Sequence, residues 1–324
     1  MLGQFSIERV NRFASLGVIP LMLVAIAVFS RAANGSTPAD PPDSGTLVVA
    51  NLRTETITFV DLSNDLQTEL ALPGPPHEIA VSEGRLYITL GRGNSVVEVD
   101  PGARAIMRIL ALDGEPHGIA VLGGNLYVTL DKANQVVVID RATMTEIRRL
   151  PTGNTPHVIA ASRATILVTD SRDNAIRQLE PDSLSIASGG QPEGIAIVGS
   201  RVVTADNSGG TVTLADAVGL GNARTVAVGA LPVRALGLNG TQALVALQGP
   251  GEVAMVDVAT GNVNRRLHVA SRPDGLCLSP DRSYLAVASN AEGIIDLFAT
   301  ARWHRAPSLS LSPGLGACAW LPPR

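Results

Sequence analysis

Seven prolines divide the chain at near-constant spacing: Pro76, Pro116, Pro156, Pro192, Pro232, Pro273 and Pro313. The intervals are 40, 40, 36, 40, 41 and 40 residues. Each proline opens a similar phrase: PHEIAV, PHGIAV, PHVIAA, PEGIAI, PVRALGL, PDGLCLS and PGLGACA. A fixed period of this length marks a repeat architecture, in which each unit buries its faces only by stacking on its neighbours. If such units close into a ring, the same position of every unit meets at one axis. Residues far apart in sequence then share one site.

One period reads completely from Pro116 to Leu150. Gly118–Val121 is a short apolar run, Gly123-Gly124-Asn125 a turn, and Leu126–Leu130 a β-branched and aromatic strand. A polar loop leads to a third strand, Gln135–Ile139, closed by Asp140, and Glu146–Leu150 alternates as a fourth. Four short strands per period, with turn chemistry between them, predict a propeller blade. The first three strands lack clean alternation, as expected of strands covered on both faces, while the fourth alternates like an outer strand facing water. The repeat region begins in mid-blade: Leu47–Ala50, Ile57–Asp61 and Glu69–Leu72 read as second, third and fourth strands with no first. At the other end Gly314–Leu321 is a first strand with nothing after it. The fragments make one blade, so the expectation is an all-β, seven-bladed β-propeller with four-stranded blades. Its ring closes by N- and C-terminal strands sharing a blade, which leaves no open sheet edge.

Tyr87-Ile88-Thr89-Leu90, Tyr127-Val128-Thr129-Leu130 and Leu167-Val168-Thr169-Asp170 look like degenerate copies of one tetrapeptide. Asn94–Asp100 and Asn134–Asp140 follow two of them at matching distance. Over residues 45–324 the chain resembles the YVTN β-propeller repeat family, whose repeat carries such a tetrapeptide and an NTVSVID segment. The resemblance implies an extracytoplasmic propeller, in a family that spans surface-layer proteins, periplasmic proteins and enzyme-like branches. The last units depart most from the pattern: Phe298 is read where an acidic residue is expected, and Pro313 precedes Gly-Leu-Gly. No WD dipeptide or kelch diglycine recurs.

Ahead of the repeats, Phe13–Phe29 is an apolar stretch flanked by Arg9 and Arg12. Residues 1–32 therefore read as a signal peptide cleaved after Ala32, or as an N-terminal membrane anchor through residues 13–29. Residues 33–44, rich in Pro, Ser and Asp, read as a flexible linker, and residues 45–324 as the propeller. That places the body outside the cytoplasm, periplasmic, secreted or anchored to the inner membrane, with membrane contact only through the N-terminal segment. The formal charge is −4, and no basic stripe interrupts the acidic body. Nucleic acid is thereby excluded as a main partner, because phosphate backbones require clustered Lys or Arg. Only Cys277 and Cys318 are available for sulfur chemistry. Bridging needs Cα atoms within about 7 Å, and inner strands of neighbouring blades do not hydrogen-bond to each other. The expectation is two buried thiols, with an axial thiolate pair on a metal as the other reading.

The position after each proline carries the chemistry. Around the ring it holds His77, His117, His157, Glu193, Val233, Asp274 and Gly314. Three imidazoles facing two carboxylates are donors suited to Zn, Cu or Fe. Copied repeats also place histidines at channel mouths with no metal selected. The acidic strand terminators Asp61, Asp100, Asp140, Glu180, Asp216 and Asp257 read as turn-capping carboxylates rather than a calcium ring. Arg53, Arg92, Lys132, Arg172 and Asp173 fall in loops on one face, where partners could dock. No G-x-S-x-G, H-E-x-x-H, C-x-x-C or EF-hand pattern occurs. The expected function is a monomeric, non-enzymatic scaffold binding a small ligand or protein partner at the propeller face, with no certain cofactor. The alternative is a metal-dependent lyase or lactonase-like hydrolase, with His77, His117 and His157 on the ion and Glu193 or Asp274 as base.

Overall fold

The computed structural model describes Pro42 and residues 45–323. The leader read at residues 1–32, and all of the linker except Pro42, lie outside the described residues. Seven four-stranded antiparallel sheets are arranged in a ring, each inner strand touching the inner strand of the next sheet. Blade 1 is the shared one. Its order is Leu315–Leu321, Thr46–Asn51, Thr56–Asp61 and Leu66–Ala71, so the C-terminal strand supplies the inner edge. Blades 2 to 7 follow in chain order, and their inner strands open at Pro76, Pro116, Pro156, Pro192, Pro232 and Pro273. A proline is tolerated there because the first residue of an inner edge strand owes no ladder hydrogen bond.

Burial follows the expected pattern in three of the four strand positions. The second and third strands are covered on both faces and fourth strands such as Leu66–Ala71 alternate, but first strands such as Pro76–Ser82, which face the channel, are only partly buried. Instead of one central core there are seven apolar clusters, one at each blade-to-blade interface. The sheets are thus held face to face like wedges, and no blade can bury its faces alone.

The acidic terminators divide into two groups. Asp61, Asp100, Asp140 and Asp257 accept backbone N–H bonds from the turn that follows, for example Gly102 N to Asp100 at 2.7 Å and Thr260 N to Asp257 at 2.7 Å. The Ser63 hydroxyl and then its N–H for Asp61, and the turn N–H bonds first for the other three, joined by the Arg85, Thr143 and Thr260 side chains, pull all four carboxyls below their ordinary range, Asp100 to about 2. Glu180 and Asp216 depart from that expectation: Glu180 pairs with Arg148 on the preceding blade, and Asp216 with Arg201 and Asn222. The residue at the seventh terminator position is Ala299, which pairs with Tyr284 as Asp257 pairs with Gln242. Phe298, assigned to that position from sequence, is a buried core residue one place earlier.

The cysteines overturn the expectation of two thiols. Cys277 and Cys318 form a disulfide, with Cα atoms 5.8 Å apart. Its cause is local. A Cβ on Gly275 would run into the carbonyl of Gly316, so bare backbone at Gly275 lets blades 7 and 1 approach more closely than a side chain would allow. The bridge joins the last inner strand to its neighbour, where Asn51 Nδ2 also donates to the carbonyls of Ser312 and Pro313 at 3.1 and 3.3 Å. Replacing both cysteines by serine should leave a folded monomer that is less stable by about 2–4 kcal/mol in urea, as expected for a bridge closing a loop of this length. Deleting residues 312–324 should abolish soluble folding altogether. A truncated monomer that melts like the parent would contradict closure by strand sharing.

Candidate functional site

In every blade from 2 to 7 the register between first and second strands slips by one residue just after the proline. Pro76 faces Leu90 but Ile79 faces Ile88, and Pro192 faces Asp206 but Gly194 faces Ala205. Each slip is a β-bulge, a device that re-aims a side chain out of the ladder. The bulged residues include His77, His117, His157, Glu193, Val233 and Asp274. All six line one cavity of about 180 Å³ on the ring axis.

Second-strand threonines fasten these bulges. Thr89 Oγ1 accepts the Glu78 N–H at 3.0 Å and donates to the carbonyl of His117 on the next blade at 2.5 Å. Thr129 repeats the clip, accepting from Gly118 N at 2.7 Å and donating to the His157 carbonyl at 2.8 Å. Both hydroxyls are fully buried. The threonine of the YVTN-like tetrapeptide is therefore the residue that ties one histidine-bearing bulge to the blade before it.

The three imidazoles are packed in a row. Ring centres of His77 and His117 are 4.4 Å apart and those of His117 and His157 are 3.8 Å apart, with tilts of 42° and 33°. Gly91 makes room for the first ring, since a Cβ there would lie 2.7 Å from His77. His157 Nδ1 is 3.1 Å from the Glu193 carbonyl, whereas His117 Nδ1 is buried with no hydrogen-bond partner among the described residues. Burial holds all three below the ordinary histidine range, and His117 lies furthest down because its two neighbours and Arg234 add to the effect. The rings are neutral near pH 7. Burial, and then the Asp274 charge, push Glu193 upward. Among the described residues, no three His, Cys, Asp or Glu side chains are placed to hold one metal ion as they stand.

The residue on which the cavity rests was not singled out in the sequence. Arg234 crosses the axis from blade 6 to Glu78 on blade 2, and bonds Asp274 on blade 7 at 3.0 Å. Its Nε also donates to the Asp274 carbonyl at 3.2 Å. Burial alone would lower the Arg234 pKa, yet the charges of Glu78 and Asp274 raise it. The signal for this bar was a charge inside an apolar inner strand. Glu78 and Arg234 stand two residues past their prolines, where other blades have Gly118, Val158, Gly194 and Gly275. Asp274 is committed to the guanidinium, which leaves Glu193 as the carboxyl uncommitted to a cation. Arg53, Arg92, Lys132, Arg172 and Asp173 do not line the axial cavity. Lys132, Arg172 and Asp173 border a separate outer hollow of about 290 Å³, where Asp173 accepts from Asn154.

No protein-family model matches the chain, and no curated protein matches it in sequence. Solved structures match its shape. A functionally unknown protein from Desulfotomaculum acetoxidans is 13% identical, with a TM-score of 0.72 over 87% of this chain and 100% of that one. A hydrazine synthase chain of Kuenenia stuttgartiensis is 18% identical at 0.69, covering 84% and 99%. A virginiamycin B lyase from Staphylococcus aureus is 17% identical at 0.65, covering 78% and 95%. At these identities the likeness establishes the seven-bladed propeller and nothing finer.

The neutral histidines give a pH signature with a definite sign. Their folded pKa values lie below the unfolded value of 6.5. Their contribution to stability is therefore fully present above pH 6.5 and is lost as pH falls from there toward the folded values. Urea midpoints should decline between pH 7.5 and pH 5, and His117→Gln should flatten that decline. An unchanged slope in the variant would show that His117 is not held neutral by its surroundings.

Proposed function

We propose that this protein is an extracytoplasmic, non-enzymatic binding propeller of the YVTN type, which seats a small cationic ligand in the histidine-lined mouth of its channel. One observation carries this reading: the buried, unpartnered Nδ1 of His117 lies among neutral imidazoles in a cavity that also holds Glu193 and Asp274. A polar atom buried without a partner is costly, and a ligand that satisfies it recovers that cost. Glu78 and Asp274 outweigh Arg234 by one charge, so the cavity favours a cation. The disulfide supports an oxidising compartment, where such bridges persist. The apolar segment at residues 13–29 supports the same location.

A second reading has its own support. His77, His117 and His157 come close enough for ring rotations to bring their nitrogens toward a zinc, copper or iron ion. Glu193, raised above the usual carboxylate range, would then stand as general base in a metal-dependent lyase or lactonase-like hydrolase. Asp274 is the weaker base because Arg234 holds it. Lyases occur among the structural neighbours, which keeps the reading within the range of the fold.

Zinc serves as the probe. Untagged protein titrated with zinc in a calorimeter should bind one equivalent, and His117→Ala should weaken binding about tenfold or more. No heat at millimolar zinc, or equal affinity in the variant, would contradict a cation site at this mouth. Turnover of a lactone or of virginiamycin B by zinc-loaded protein, abolished in Glu193→Gln with zinc binding retained, would replace the binding scaffold with the enzyme.

A further inference from the structure

Below the Arg234 bar the channel widens into a second cavity, of about 480 Å³. Its wall is built by the repeat itself. Ile79, Ile119, Ile159, Ile195 and Leu276, each three residues past its proline, contribute from five blades, and Trp320 contributes from blade 1. Ile159, Ile195, Leu276 and Trp320 are only 5–7% exposed, so the collar presents a limited apolar wall, which an apolar body of matching size would cover. The cavity volume falls in the range of small-molecule sites, about 300–1,000 Å³, and its wall is shared between this apolar collar and polar groups that include Glu78, Arg234, Ser279 and Arg282.

The polar groups lie at the two ends and are unequal. At the inner end Arg234 is already saturated by Glu78 and Asp274, which leaves excess negative charge there. At the outer rim stands Arg282, whose Nη1 donates to the carbonyls of Gly237 at 3.2 Å and Leu238 at 2.5 Å. Among the described residues it has no carboxylate within ion-pair distance. Its sequence neighbour Asp281 is engaged by Ser279 and Ser283. The two carbonyl bonds hold this exposed guanidinium at the rim with its charge uncompensated.

We infer that the lower half of the channel is a binding site for a small amphipathic organic anion. The apolar body lies against the isoleucine collar and Trp320, and one carboxylate or sulfonate group meets Arg282 at the rim. This site is separate from the histidine mouth and does not depend on what binds there.

The test uses the full chain with two dyes of nearly the same shape, anionic 8-anilinonaphthalene-1-sulfonate and neutral N-phenyl-1-naphthylamine. The sulfonate should bind saturably at one equivalent. In a Trp303→Phe protein, which keeps Trp320 as its single tryptophan, binding should change the Trp320 emission. Arg282→Gln should weaken the sulfonate about tenfold while shifting the neutral dye by less than about twofold, since one ionic contact is removed and the apolar wall is kept. Where Arg282→Gln impairs folding, dodecanoate should displace the sulfonate from the parent protein and dodecanol should not. Absence of saturable binding, a silent Trp320, equal loss of both dyes in Arg282→Gln, or equal competition by the acid and the alcohol would each overturn the inference.

Discussion

A guanidinium placed near the axis of a closed ring must find its counter-charges there, because a buried unpaired cation is among the most costly features a fold can hold. Arg234 meets that constraint by reaching across the channel to Glu78 and sideways to Asp274. The bond to Glu78 spans 156 positions in sequence, so it forms only when the ring has closed. Once formed it divides the channel in two. Above it lie the stacked imidazoles and Glu193; below it lies the apolar collar. The chemistry of both halves is set by which charges the bar has already consumed.

Closure is what brings those charges together. Seven interface cores hold the blades face to face, and the last inner strand is fixed by the ladder to Thr46–Asn51, by Asn51 and by the Cys277–Cys318 bridge. Stability of this kind is spread round the ring, with no blade independent of its neighbours. The bulge after each proline then turns the same feature that defines the repeat into a means of aiming side chains at the axis.

Much of this was legible in the sequence, for reasons that are local. Strand lengths, turns, the proline period and the missing first strand of blade 1 are written in contiguous residues, and they led to the correct ring. The position after each proline was recognised as axial because it recurs. Three features were not local. Glu78 and Arg234 each read as an exception in an apolar strand, and their pairing needs the ring. The disulfide depends on the close approach to Gly316 that Gly275 permits, which no strand pattern encodes. From sequence alone Phe298 falls at the terminator because blade 7 has an alanine, Ala299, where the other blades show an acid. A buried carboxylate two residues earlier, Asp296, instead pairs with Arg305.

The central claim is that the Arg234–Glu78 contact is a real coupling across the channel that organises the site, beyond two charges that happen to face each other. A double-mutant cycle measures it directly, using urea unfolding at pH 7 of the parent, Glu78→Gln, Arg234→Gln and the double variant. A coupling of at least about 1.5 kcal/mol is the expected result for a partly buried charge pair. Single-variant effects that add to within about 0.5 kcal/mol would contradict the account.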